Sequence, residues 1–207
     1  MGGRADRAVA TVARVPALHV APDTAVDVDA VEDAAARFLA ALGVDLQTEG
    51  ARRTPRRMAA AWAEMLAPRP FDLTTFPNDE GYDELVLARA VPVRSLCEHH
   101  MLPFVGVAHV GYLPDRRILG LSKFARMVEL HARRPQTQER LTKAVADHLE
   151  RELRPVGVGV VVDAEHTCMT LRGAQASGSR TLTSTVLGRL REDAGSRAEF
   201  LALARRT

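Results

Sequence analysis

The sequence predicts an α+β domain with an antiparallel sheet. Two β-rich runs stand in the middle of the chain, two amphipathic helical segments follow them, and further β-rich runs precede a short closing helix. Hairpins, then a helix pair, then more hairpins is the order of an antiparallel sheet that carries helices.

Residues 1–27 show no amphipathic period. Arg4, Arg7 and Arg14 are interrupted by Asp6, no serine precedes residue 27, and Arg14 and Pro16 break the one apolar stretch. That fits neither a transit peptide nor a secretory signal, so a flexible tail is expected over 1–27. From Val28, the residues Val31, Ala34, Ala35, Phe38, Leu39 and Leu42 recur at helical spacing and Gly43 ends the run. A second helix is expected from Thr54 as N-cap, with Pro55 at its first position. These two make a helical extension over 28–67, and the turn formers of 68–82 read as loop.

The main domain is expected over 83–205. Residues 84–96 and 104–114 read as strands, 122–134 and 137–154 as helices with Ser122 and Thr137 as caps, 156–173 and 179–188 as strands, and 196–206 as a last helix. His109 on its alternating strand reads as structural, and His131 and His148 as surface or interface residues. Phe38 and Trp62 read as helix-packing residues.

Composition removes several classes. The 207 residues are 46% hydrophobic, with 28 basic against 26 acidic side chains, so no global field exists to grip nucleic acid or an anionic membrane. Two cysteines cannot build a disulfide scaffold, and no apolar run approaches the roughly 20 residues of a spanning helix. The expected setting is the cytoplasm, without nucleic-acid or membrane partners.

Chemistry concentrates in two short segments. Cys97 and His100 stand in C-x-x-H spacing, which lets one tight turn offer a thiolate and an imidazole to one cation. The other cysteine, Cys168, follows His166 by two positions, and on a strand such residues share a face. Three ligands from Cys97, His100 and Cys168 would leave one tetrahedral position open, as in a catalytic zinc site, with His99 and His166 at hand for proton transfer. Spacing alone leaves three readings open: buried unligated cysteines, a structural zinc, or a catalytic metal.

Longer motifs narrow the choice. "SLCEHHMLPFVGVAHVGYLP", "ILGLSKFARMVELHARRPQTQERLT" and "VGVVVDAEHTCMTLRGAQASGSRTLTSTVLG" resemble the GTP cyclohydrolase I family, as do "TPRRMA" and "SRAEFLAL". The resemblance spans about residues 30–204. It implies a tunnelling fold (T-fold), an antiparallel sheet with two helices in ββααββ order, here preceded by N-terminal helices. It also implies a homo-oligomer, a decamer of two stacked pentameric rings with active sites at subunit interfaces. The implied reaction is the zinc-dependent hydrolytic opening of the GTP purine at C8, which releases formate and forms 7,8-dihydroneopterin triphosphate at the head of tetrahydrofolate biosynthesis.

Carried over residue by residue, the resemblance puts one Zn2+ per subunit on Cys97, His100 and Cys168. It makes His99 and His166 catalytic and sets Glu139 on the guanine ring with Gln138 assisting. Ser122, Lys123, Arg126 and Arg172 would hold ribose and triphosphate. "Gly120-Leu121-Ser122-Lys123" running into a helix has some of the makings of an anion site by itself. Arg57 is a further phosphate candidate, ahead of Arg56. A related iron-using cyclohydrolase and a non-catalytic zinc-stabilised binding module are the competing readings. The thiolate-rich ligand set speaks against the first, and the joint presence of His99, His166 and Glu139 against the second.

Overall fold

The structure, a computed structural model, describes residues 26–205. The expected tail lies outside them except for its last two residues, and His19 lies outside them too. Helix α1 (Val28–Ala41) starts where the Asp27 carboxylate accepts from the Ala30 N–H at 3.0 Å, and Gly43, at φ 80°, turns the chain after it. Helix α2 (Thr54–Leu66) has Pro55 in its first turn as expected, but Thr54 is already helical and Arg53 takes the cap position without a side-chain bond. The two helices pack on each other, and Arg56 straps them by reaching Asp29 at 2.6 Å and Glu32 at 3.0 Å. Phe38, read as a helix-packing residue, is 55% exposed.

The 68–82 stretch is not all loop. Thr75–Pro77 forms a short strand, β1. Next come β2 (Val86–Cys97), β3 (Pro103–Leu113) and the short β4 (Arg117–Leu119), which pairs antiparallel with β1. Helix α3 (Ser122–Ala132) has Leu121, not Ser122, as its cap residue. Two residues of strand β5 (Pro135–Gln136) lead into α4 (Gln138–Leu153), whose cap is Thr137 as expected, its side chain accepting from the Arg140 N–H. Strand β6 (Gly157–His166) runs into a single helical turn, α5 (Thr167–Thr170), followed by β7 (Thr181–Gly188), α6 (Arg189–Glu192) and α7 (Ala194–Arg205). The reading of 156–173 as continuous strand therefore fails at Thr167.

The main sheet has the order β5-β2-β3-β6-β7. All its pairings are antiparallel except that of β5, which lies parallel to the end of β2 with Leu96 opposite Pro135 and Cys97 opposite Gln136. Alternation sends Phe104, Ala108, Val110 and Tyr112 of β3 and Val158, Val160 and Val162 of β6 to one face. Phe124, Met127 and Val128 of α3 and Leu141, Val145 and Leu149 of α4 cover them, each fully buried side chain contributing about 1.5–3 kcal/mol. The opposite face is covered at one end by Leu190 and Phe200 against Leu113 and Val161. A Cβ at Gly159 would meet the Phe200 ring at 2.6 Å, so only glycine lets α7 lie this close. Among the described residues no helix is long and apolar enough to cross a membrane.

His131 and His148, read as surface or interface residues, are half-buried. Helical spacing turns both inward between α3 and α4, where His131 Nε2 and His148 Nδ1 share a hydrogen bond of 2.9 Å. Burial, reinforced by His148, Arg134 and Arg151 and opposed by Asp147, drives His131 from 6.5 down to about 4. His148 is lowered in the same direction, mainly by burial. Between those two values the unfolded chain binds a proton that the folded chain refuses, so stability falls as pH drops from 6.5 towards 4. At ~1.36 kcal/mol per unit, His131 accounts for up to about 3 kcal/mol of that fall. Thermal denaturation at pH 7.5 and 5.0 checks this: wild type should lose more Tm on acidification than His131→Phe, and equal losses would contradict it.

Candidate metal centre and substrate cleft

Strand β2 ends at Cys97, and the chain reverses at once. The Met101 N–H donates to the Cys97 carbonyl at 2.8 Å, the Cys97 N–H to the Leu102 carbonyl at 2.8 Å, and Met101 sits at φ 53°. This tight turn lifts His99 and His100 over the Cys97 thiol, with Nδ1 atoms 3.8 and 3.9 Å from Sγ. Cys168 arrives from the other side of the sheet on α5. One ligand atom each from Cys97, His100 and Cys168 lies within 4.8 Å of the others, which suits the edges of a small tetrahedral coordination shell. Cys97 is buried, Cys168 half-buried and His100 exposed, so the group opens to one side.

Strand alternation does not bring Cys168 to His166, since a helical turn intervenes; the convergence comes from the β3–β6 pairing instead. Phe104 stands opposite His166 in that ladder and stacks on its ring at 4.4 Å with a 9° interplanar angle. The Thr167 hydroxyl donates to the Pro103 carbonyl at 2.6 Å and pins the start of α5 to β3. Burial pushes the His166 imidazole below its ordinary value, with Glu139 pulling the other way. Burial and then the neighbouring Cys97 push the Cys168 thiol up.

The third wall is the first turn of α4. Glu139 is exposed there, within electrostatic reach of His166. Gln138 turns inward. Its amide nitrogen donates to the carbonyls of Val162 at 3.0 Å and Thr181 at 2.8 Å and to the Thr183 hydroxyl at 3.1 Å, while its oxygen faces His166 Nε2 at 2.8 Å. Two carbonyls can only accept, so the nitrogen must face them, and the oxygen then requires the proton of His166 on Nε2. Gln138, expected to assist Glu139 at guanine, lines the cleft and also meets His166.

These residues surround a cleft of about 300 Å³, the low end of the ~300–1,000 Å³ usual for small-molecule sites. Arg172, just past α5, is near enough to influence Cys168. Ser122, Lys123 and Arg126 lie on the first half of α3, and none of them lines this cleft. Ser122 and Lys123 adjoin a separate apolar groove of about 500 Å³ lined by Phe76, Tyr82 and Leu121. Arg56 is committed to α1, while Arg57 makes one weak contact of 3.5 Å to the Gly50 carbonyl.

A family model described as GTP cyclohydrolase I matches residues 31–205. The chain belongs to the GTP cyclohydrolase I family. It is 46% identical to the GTP cyclohydrolase 1 of Aquifex aeolicus, over 87% of this chain and 98% of that one. The Streptomyces avermitilis protein of that name is 51% identical over 83% of this chain and 88% of its own. That of Mycobacteroides abscessus is 50% identical, over 85% and 89%. The sheet with its α3–α4 layer is the tunnelling fold of this family, in the expected ββααββ order.

Of the two adjacent histidines, His100 is the one whose ring nitrogen clusters with both cysteine sulfurs, which zinc binding can test. Competition with a chromophoric chelator should show one zinc per chain in wild type and in His99→Ala. His100→Ala, Cys97→Ala and Cys168→Ala should each lose affinity by at least 100-fold, the loss of one of three ligands. Loss in His99→Ala with retention in His100→Ala would reverse the assignment.

Proposed function

We propose that this chain carries its family's activity, converting GTP and water to 7,8-dihydroneopterin triphosphate and formate through a zinc centre held by Cys97, His100 and Cys168. The observation that carries the reading is the meeting of that three-ligand group with His166 and Glu139 in one cleft. The residues fit the metal: two soft sulfurs and an imidazole suit zinc, and three ligands leave a position for water or substrate. When bound, zinc supplies Lewis acidity, making water a nucleophile near neutral pH.

The remaining work falls to the chain's own groups. Glu139 accepts hydrogen bonds from the adjacent N–H donors of guanine, and adenine would leave that carboxylate poorly paired. Gln138 holds His166 with Nε2 protonated, which leaves Nδ1 to take up a proton and deliver it to the purine's imidazole nitrogen as water adds at C8. His99, at the exposed tip of the turn, serves the later proton transfers of ring opening, formate loss and pterin closure.

Ribose and triphosphate fall to Arg172 and to Ser122, Lys123 and Arg126. The latter three do not line their own chain's cleft, and in this reading a second copy supplies them. That supports a homo-oligomer with shared active sites, for which the family's decamer of stacked pentamers is the proposed form. Free thiol ligands suit a reducing compartment such as the cytoplasm.

Incubation with GTP tests the reading, following dihydropterin absorbance and assaying formate in parallel. Wild type should release one formate per GTP, and chelator treatment or Cys168→Ala should cut the rate at least 1,000-fold, as expected when a hydrolytic metal is removed. A zinc-loaded wild type that releases no formate would leave the binding-module reading in its place.

A further inference from the structure

The Cys97–His100 turn projects from the sheet, and its tip is open to solvent: the His99 side chain is 66% exposed. A turn so placed must be held by its neighbours, or ordering it would be charged against metal affinity. Its one inward-facing polar side chain is Glu98, whose carboxylate is only 15% exposed. That carboxylate pairs closely with the Arg140 guanidinium, which projects from the first turn of α4. Arg140 does not stop there. Its Nε donates to Gln136 Oε1 at 2.8 Å, and the Gln136 amide nitrogen donates to the His131 carbonyl at 2.9 Å, at the end of α3. The backbone follows the same line, with the Glu98 N–H donating to the Gln136 carbonyl at 3.0 Å.

We propose that Arg140 is a positioning residue for the metal centre: through Glu98 on one side and the buried Gln136 on the other, it locks the turn that presents His100 to the register of Cys97. This rests on the zinc reading above. Outer partners that fix ligand-bearing segments commonly account for 10- to 100-fold in metal affinity. The chemistry asks for arginine specifically. Two separate nitrogens of one planar group engage two acceptors, whereas a lysine ammonium offers a single point charge on a flexible stem. Removing Arg140 would also leave the largely buried Glu98 carboxylate with only the exposed His99 Nε2, 3.8 Å away, as a charged partner beside two thiolates, so the turn would move to rehydrate it.

Chelator competition with zinc alone tests this on the full-length chain, with no GTP present. Arg140→Ala and Glu98→Ala should each weaken zinc binding about 10- to 100-fold. The double variant should be no weaker than the worse single one, because both break one linkage. Arg140→Lys should recover only part of the affinity, and it serves as the readout should Arg140→Ala fold poorly. A merely structural role would lower Tm in these variants and leave zinc affinity within twofold of wild type, which would overturn the proposal. If wild type itself failed to bind zinc, the metal reading would fall first, and that result is distinct from a zinc-binding wild type matched by its Arg140 variants.

Discussion

A two-residue parallel bridge holds the site together. Pro135 and Gln136 lie beside Leu96 and Cys97, the only parallel pairing in an otherwise antiparallel sheet. Because Thr137 caps α4 one residue later, the helix must begin beside the end of β2. Glu139 and Arg140 then fall on either side of the Cys97 turn, and Gln138 is driven inward to the β6–β7 carbonyls and His166. Shift that bridge by one residue and the cleft loses its acidic wall, its turn support and the orientation of its histidine together.

The second constraint is the β3–β6 ladder, which sets Phe104 against His166 and delivers Cys168 to Cys97 from a distant part of the chain. Precision here comes from rigid strands, while the reactive groups sit at strand ends, where the backbone can open a cleft. The cleft and the candidate metal ligands are separate from the cationic, hydroxyl-bearing turn of Ser122 and Lys123, which adjoins a different groove.

Much of this was legible in the sequence, because it rests on local chemistry. The C-x-x-H turn, the Thr137 cap and the 3.6-residue stripe of α4 are written in consecutive residues. What was not legible depends on neighbours distant in the chain. Strand alternation places Cys168 beside His166 on paper, but Thr167 bonds to Pro103 and begins a helical turn. Gln138 reads as an assistant to Glu139 because it adjoins it; its added bonds to the Val162 and Thr181 carbonyls and to His166 depend on strands far along the chain. His131 and His148 read as surface or interface residues because each helix face looks polar alone, and they become a half-buried pair once α3 and α4 pack. Two-residue β5 leaves no pattern long enough to detect.

The central claim is an open three-ligand centre of two sulfurs and one imidazole nitrogen. X-ray absorption at the zinc edge on the metal-loaded protein tests it most directly. The account predicts two sulfur scatterers at about 2.3 Å, one imidazole nitrogen at about 2.0 Å and a fourth, light scatterer that is not imidazole. A shell with two imidazoles, or one with fewer than two sulfurs, would mean that the site is closed or built from other residues, and would contradict it.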